Sequence, residues 1–294
     1  MTSLICGSLA FDTIMSFHGR FSEALLADQL HKINVAFLVP DVRREYGGCA
    51  GNIAYNLKLL NGDPLIMATL GQDGAPYVER LNKLGISTRC IRSYEDAYTA
   101  QAFITTDESN NQITAFHPGA MSNSHHNKVQ DAGGVKLAII APDGRDGMIE
   151  HARDCAALGI PFIFDPGQGL PMFSGEELKQ FIEMATYVAV NNSERVSALV
   201  VTRGEQGAEI FTAETRYDIP VVKTDKVIDP TGCGDAFRAG MLFGLTRGMD
   251  WMTIGRLASL MGAIKIESQG GQNHAPTVED IEARFEQEFG YRFV

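Results

Sequence analysis

Asp229-Pro230-Thr231-Gly232-Cys233-Gly234-Asp235 runs directly into an apolar helical pattern. Two glycines this close let consecutive main-chain N–H groups turn into one concavity. At a helix start the concavity also gains unpaired amides and the positive end of the macrodipole, so it suits an anion. Phosphoryl transfer needs such a cradle, because negative charge must be held on the group in flight. Gly232, Cys233 and Gly234 would supply the cradle, and Asp235 is placed to meet both a hydroxyl and a phosphate. The plainer alternative is an aspartate that only caps its helix. A cap does not call for two glycines and a second aspartate six residues earlier.

A second glycine cluster, Gly47-Gly48-Cys49-Ala50-Gly51-Asn52, opens a helical pattern over residues 50–60. Gly48 permits close approach of a ligand to the backbone. Asn52 offers a donor and an acceptor to a hydroxyl-rich ligand. The alternative is a tight turn feeding a helix, with Gly51 present for packing. Other chemistries find no support. There is no Gly-Lys dipeptide and hence no P-loop, and Gly7 is not followed by a dinucleotide fingerprint. A G-x-S-x-G elbow and an H-E-x-x-H pair are also absent. His125 and His126 lie side by side in a polar stretch, as solvated histidines do, and Trp251 reads as packing.

The elements that would carry these motifs alternate. Short apolar runs at 4–6, 65–70, 136–141, 161–164, 187–190 and 198–202 read as buried strands. Helical patterns at 50–60, 75–84, 148–157 and 176–185 separate them. The alternation predicts an α/β fold, a doubly wound and mostly parallel sheet with helices on both faces. Beyond Asp229 the pattern is helical at 235–247, 251–268 and 278–289, the last capped by Thr277. Two stretches break the rhythm: 13–17 with 33–39, and 100–106 with 113–116 across a polar turn at 107–111. Both read as exposed hairpin-like strands, forming either an edge extension of the sheet or a small lid.

The 294 residues, 45% hydrophobic and 21% charged, suffice for one large domain without staples. A net charge of −11 argues against nucleic acid or anionic membrane as partner. Five scattered cysteines with no C-x-x-C pair argue against a disulfide framework or a cysteine zinc site, and point to a reducing, cytoplasmic setting. The start of the chain lacks the pattern of a signal peptide, and no apolar run is long enough to span a membrane.

The paired glycine motifs resemble the two signatures of the ribokinase-like (PfkB) carbohydrate and nucleoside kinases, in the right order, and the resemblance extends over essentially the whole chain. It implies a single ribokinase-like domain over 1–294, with a β-sheet lid from about 13–39 and 100–117. It implies ATP as phosphoryl donor, Mg²⁺ as cofactor, K⁺ as a further one, and a homodimer through the lid. Asp235 would be the catalytic base and the amides of 232–235 the anion hole. Asp12, after Gly7-Ser8-Leu9-Ala10-Phe11, matches the aspartate that accepts from two vicinal sugar hydroxyls. Asn191 and Glu194 match an Asn-x-x-Glu element that orders magnesium through water. Thr202, Arg203, Gly204 and Gly207 match the strand-end loop that holds ATP. One departure stands out: the family has a helix between that Asn-x-x-Glu element and the next strand. Here only Arg195, Val196 and Ser197 intervene, too few for a crossover between parallel strands.

Within the family the chain is most similar to bacterial nucleoside kinases. Gln29 follows Asp12 at a spacing like that of adenosine kinases. Phe103 and Phe116 on the lid-like strands would stack on a base and Gln101 would read its edge, or the aromatics are lid packing. The expected reaction is phosphorylation of the ribose 5′-hydroxyl of a nucleoside, purine favoured (inosine, guanosine, adenosine), with cytidine within range. The alternatives are a free-sugar kinase and a ligand-binding homologue without turnover.

Overall fold

The computed structural model describes residues 1–24, 35–109, 111–189 and 197–293. In chain order the strands are β1 (Thr2–Cys6), β2 (Ala10–Ser16), β3 (Asp41–Gly47), β4 (Asp63–Leu70), β5 (Ser87–Ser93), β6 (Ala100–Thr106), β7 (Gln112–His117), β8 (Val135–Ile140), β9 (Phe162–Phe164), β10 (Tyr187–Val188), β11 (Ala198–Thr202), β12 (Ala208–Thr212) and β13 (Arg216–Ile219). The helices are α1 (Phe21–Ala24), α2 (Cys49–Leu59), α3 (Ala75–Lys83), α4 (Arg145–Ala157), α5 (Gly175–Met184), α6 (Cys233–Thr246), α7 (Trp251–Ile266) and α8 (Val278–Phe289).

Nine strands form the main sheet in the order β13-β12-β11-β10-β9-β8-β1-β4-β5. The seven from β11 to β5 are parallel, and β12 and β13 close the far edge antiparallel. Buried on both faces, β1, β4 and β8 read as continuous apolar runs rather than alternating ones. One core cluster joins α2, α6 and α7 to one face; a second joins α4 and α5 to the other. From β1 the chain winds outward through β4 and β5, then returns to β8 and winds the opposite way. The sheet therefore reverses direction between β1 and β8. A crevice opens beyond the carboxyl ends of strands at such a reversal, and ligands bind there. Gly7 and Ser8 lie at that place, and the Ser8 amide donates to the Pro142 carbonyl after β8 at 3.0 Å.

The smaller sheet has the order β3-β2-β6-β7, with β2 parallel to β6 and the other pairs antiparallel. It corrects one expectation. The partner of β2 is β3 at Asp41–Gly47, not the apolar stretch 33–39; residues 35–39 form no strand, and 33 and 34 lie outside the described residues. The sequence DVRREYG hides this strand because one side of it faces a polar cleft, so charge replaces the apolar signal. The edge strands β5 and β13, and β12 beside β13, also lack continuous apolar runs. Against the expectation that the short junction cannot return the chain for a parallel strand, β10 and β11 pair in parallel, Tyr187 opposite Ala198; residues 190–196 between them lie outside the described residues.

Gly48 joins the two sheets. It has φ +85° and ψ 140°, which only glycine adopts readily. A Cβ there would stand 2.5 Å from the Ser8 carbonyl oxygen and 2.6 Å from the Ala10 amide nitrogen. The close approach lets Ser8 cap α2: its carbonyl accepts from the Ala50 amide at 3.0 Å and its hydroxyl from the Cys49 amide at 3.2 Å. Gly48→Ala combines a disallowed conformation with a backbone clash. We expect it to destabilise the protein by at least about 1–3 kcal/mol, the scale of one strained backbone position. Urea unfolding checks this; an unchanged midpoint would contradict it.

Candidate active site

The start of α6 lies against the start of α2. Gly232 is left-handed, φ +80°, and forms the N-cap of α6. From there the Ala236 amide donates to the Gly232 carbonyl at 2.9 Å, and the Cys233 amide to the Pro230 carbonyl at 3.2 Å. Among the described residues no main-chain acceptor takes the amides of Gly234 and Asp235. These two donors stay open at the start of the helix, and the Cys233 amide is partly engaged.

The turn that bears the cradle is pinned from below. Asp229 Oδ1 accepts from the Thr231 amide at 2.9 Å, and Oδ2 from the Gly270 amide at 2.8 Å. Burial opposes charge on Asp229, yet these amides outweigh it and hold its pKa below the ordinary value. Lys265 is fully buried; its ammonium donates to the Asp229 carbonyl at 2.7 Å and the Ser268 carbonyl at 3.0 Å.

Asn52, on the first turn of α2, donates through Nδ2 to Asp235 Oδ2 at 2.9 Å. Its own oxygen accepts from Gln272 Nε2 at 3.1 Å, and Gln272 also donates to the Tyr77 hydroxyl at 2.9 Å. That hydroxyl donates to the Gly47 carbonyl at 2.7 Å. A side chain at Gly51 would collide with the Tyr77 hydroxyl, so this glycine gives α2 room against α3 rather than against the sheet. Asn52 therefore meets Asp235 directly, with its amide orientation set by Gln272.

Asp12 on β2 stands over Gly47, whose missing side chain leaves room for the carboxylate. Burial first, then the charges of Glu45 and Asp229, push Asp12 up to about 6. Burial likewise pushes Asp235 up to about 6; the Asn52 hydrogen bond and the Arg238 charge pull it down, and Asp165 and Asp12 add to the rise. Each carboxylate is thus an acceptor above about pH 6. Burial also lifts the Cys233 thiol to about 11, so it carries no nucleophile at neutral pH.

Strand pairing decides which residues of the small sheet share the Asp12 face. Asp12 is opposite Glu45 and Ala102, and Ala102 is opposite Phe116, so these four share one face. Gln101 and Phe103 are one residue out of phase and lie on the other face. Gln101 instead donates to Asp73 Oδ2 at 3.2 Å; Asp73 also accepts from Arg44 at 3.1 Å and the Thr99 amide at 2.7 Å, anchoring the base of the small sheet. The expectation that Gln101 and Phe103 join Phe116 at a ligand is therefore corrected by the alternation of the strand.

Thr202, Arg203, Gly204 and Gly207 lie apart from these residues, at the carboxyl end of β11. Arg203 pairs with Glu209 at 3.1 Å, and Gly207, φ +85°, passes against the Ile219 carbonyl. Gln29, Asn191 and Glu194 lie outside the described residues.

Arg238, Asp165, Gln272 and Lys265 went unnoticed in the sequence. Arg238 donates to Asp165 through Nε at 2.8 Å and Nη2 at 3.1 Å. Its spacing of three from Asp235 was a usable signal, as was the place of Asp165 just after β9, at the carboxyl edge of the sheet. Lys265 was visible as a cation in the last turn of an apolar helix. Gln272 left no signal.

Comparison with known proteins finds similar kinases. The model of the pfkB family of carbohydrate kinases matches residues 10–196 and 191–278. A nucleoside kinase of Methanocaldococcus jannaschii is 32% identical over 274 residues, covering 86% of this chain and 89% of that protein. The structure of Burkholderia thailandensis nucleoside kinase in complex with inosine is 55% identical, covers 99% of both chains and superposes with a TM-score of 0.90. The same enzyme in complex with ADP-inosine is 56% identical, covering 99% of this chain and 97% of that one, with a TM-score of 0.88.

Asn52→Ala removes a donor to the ionised form of Asp235, which favours the protonated form. The pKa of Asp235, followed by carbon NMR of labelled aspartate carboxyls, should rise further above about 6. Gln272→Leu, which frees the Asn52 amide and also removes the Gln272 contacts with Tyr77 and Arg80, should move it the same way by less. No movement in either variant would show that Asn52 does not hold this carboxylate.

Proposed function

The chain belongs to the pfkB family of carbohydrate kinases and is an ATP-dependent kinase; on that premise we propose that it phosphorylates the ribose 5′-hydroxyl of a nucleoside, with purines favoured and cytidine within range. The observation that carries this reading is the pair of partly buried carboxylates held by one glycine turn. Gly47 makes room for Asp12, and Asn52, five residues on, bonds Asp235. A ribose bridges such a pair naturally: the 2′- and 3′-hydroxyls donate to Asp12 and the 5′-hydroxyl to Asp235. The complexes of the Burkholderia enzyme with inosine and ADP-inosine support this choice of acceptor.

In this reading Asp235 takes the hydroxyl proton as the O–P bond forms. The transition state is loose, so positioning and a proton acceptor matter more than base strength. The amides of Gly234 and Asp235 meet the oxygens of the transferring group. The smaller sheet acts as the lid, placing Phe116 over the base from the Asp12 face.

Mg²⁺ supplies charge neutralisation on the ATP phosphates. Among the described residues there is no cluster of ligands suited to a metal ion. Asp229 engages both oxygens with amides and Asp165 both with Arg238. A metal carried on the phosphates fits this donor set better than one caged by the protein, with Asn191 and Glu194 as the proposed organisers. K⁺ would have to compete with the Lys265 ammonium for the carbonyls of Asp229 and Ser268.

A homodimer through the lid is supported by the outer face of the small sheet. Val42, Met15, Thr105 and Ile113 form one row there and Phe103 lies in the next, with Val42, Phe103 and Ile113 exposed. Five free cysteines suit a cytoplasmic setting; no helix among the described residues is long and apolar enough to cross a membrane.

The test is a comparison of kcat/KM for inosine, adenosine, cytidine, ribose and fructose in the wild type, Phe116→Ala and Phe103→Ala. Stacking contributes about 1–3 kcal/mol per base. Phe116→Ala should therefore lower kcat/KM for inosine by roughly ten- to a hundredfold and leave ribose unchanged, while Phe103→Ala alters neither. Ribose or fructose matching the best nucleoside in the wild type would establish a free-sugar kinase instead.

A further inference from the structure

Arg238 lies three residues beyond Asp235 in α6, on the same face of the helix. Helical side chains lean back toward the N-terminus, so a long one here reaches the first turn. The guanidinium does reach it: Nη1 is 3.4 Å from the Gly234 carbonyl and 3.5 Å from where a Cβ on Gly234 would stand. It therefore edges the space that the glycine leaves open. Its charge also acts on Asp235, and that of Asp235 on it.

The group is held rigidly. Asp165 takes Nε and Nη2 in a two-pronged pair, with side chains only 12% and 6% exposed for Arg238 and Asp165. Of the five N–H donors, two go to Asp165 and one leans on Gly234. Among the described residues the other two, one on each terminal nitrogen, have no protein acceptor. A desolvated, pre-aimed fork with spare donors beside two free amides is suited to an oxyanion with several oxygens.

We propose that Arg238 is a catalytic residue of the phosphoryl transfer, its two spare donors bonding oxygens of the phosphoryl group in flight, while Asp165 acts as the positioning residue that aims it. The proposal rests on the reading of Gly232–Asp235 as the phosphoryl cradle. The bond between the acceptor oxygen and the γ-phosphorus forms as the bond from that phosphorus to the β–γ bridging oxygen breaks. The hydroxyl proton goes to Asp235, and ADP leaves with the bond electrons. Arg238 neither gives nor takes a proton.

A structural clamp between α6 and β9 is the competing role, and it is separable. Breaking a buried ion pair leaves an uncompensated charge, whereas replacing both partners with apolar groups is often neutral. Three variants are compared with inosine and ATP as substrates: Arg238→Met, Arg238→Lys, and the double variant Arg238→Met with Asp165→Leu. Loss of an arginine that stabilises this transition state costs about 10³–10⁵ in rate. Arg238→Met and the double variant should each lose at least about a hundredfold in kcat, and Arg238→Lys less, because charge survives without the fork. Inosine affinity by calorimetry should stay the same. Affinity for ADP with aluminium fluoride, which imitates the phosphoryl group in flight, should fall by far more than affinity for ADP alone.

Recovery of kcat to within about tenfold of wild type in the double variant would overturn the proposal, as would equal weakening of ADP and its fluoride complex. The double variant also answers if Arg238→Met alone does not fold, since it removes the unpaired charge. Asp235→Asn, run in parallel, separates the two levels. If Asp235→Asn keeps wild-type kcat, the cradle reading itself fails. If Asp235→Asn is inactive while the Arg238 variants turn over normally, only the role of Arg238 fails.

Discussion

The hydrogen bond from Asn52 to Asp235 joins the first turns of two helices that are far apart in sequence, and the site depends on that junction. Both partners sit where amides point outward and where glycine is required. Gly48 lets α2 start against Ser8, and Gly232 lets α6 start with a left-handed residue. Behind the bond, Gln272 fixes which end of the Asn52 amide faces Asp235, and the Tyr77 hydroxyl, donating to the Gly47 carbonyl, completes the chain. A buried polar chain of this kind is stable only when each member is satisfied, so the network also fixes how the two helices pack.

Electrostatics sets the second requirement. The chain carries a net charge of −11, yet its site must receive a nucleotide anion. Acidic side chains near the cradle are therefore neutralised or turned to other work. Asp229 is occupied by two amides and Asp165 by Arg238, while Lys265 places a buried cation beneath the turn. Asp12 and Asp235 remain as acceptors, both raised by burial to about 6, so they are ionised at neutral pH with little margin. That poise suits the roles proposed for them, accepting hydrogen bonds and, at Asp235, a proton.

Much of this was legible beforehand because the signals were local. Short apolar runs marked the central parallel strands, since those strands are buried on both faces. Residues 198–202 and 278–289 matched β11 and α8 to their ends. The two glycine clusters marked the helix starts because φ above zero is a property of residue type. Nonlocal relations stayed hidden. Alternation places Gln101 and Phe103 on one side of β6 and Ala102 on the other, but only the pairing with β2 and β7 shows which side meets Asp12. The partner of β2 was misplaced because β3 is mostly charged, with Arg43, Arg44 and Glu45 in succession. Gln272 meets Asn52 across 220 residues, a separation no sequence window reads.

The central claim is that this geometry presents a nucleoside's 5′-hydroxyl to Asp235 and its diol to Asp12. The most direct measurement is phosphorus NMR of the product formed from inosine and ATP. The expected result is a single monoester coupled to the two 5′ protons, formed in equal amount to ADP. A phosphate on the 2′- or 3′-oxygen, or release of ADP with inosine unchanged, would contradict the account.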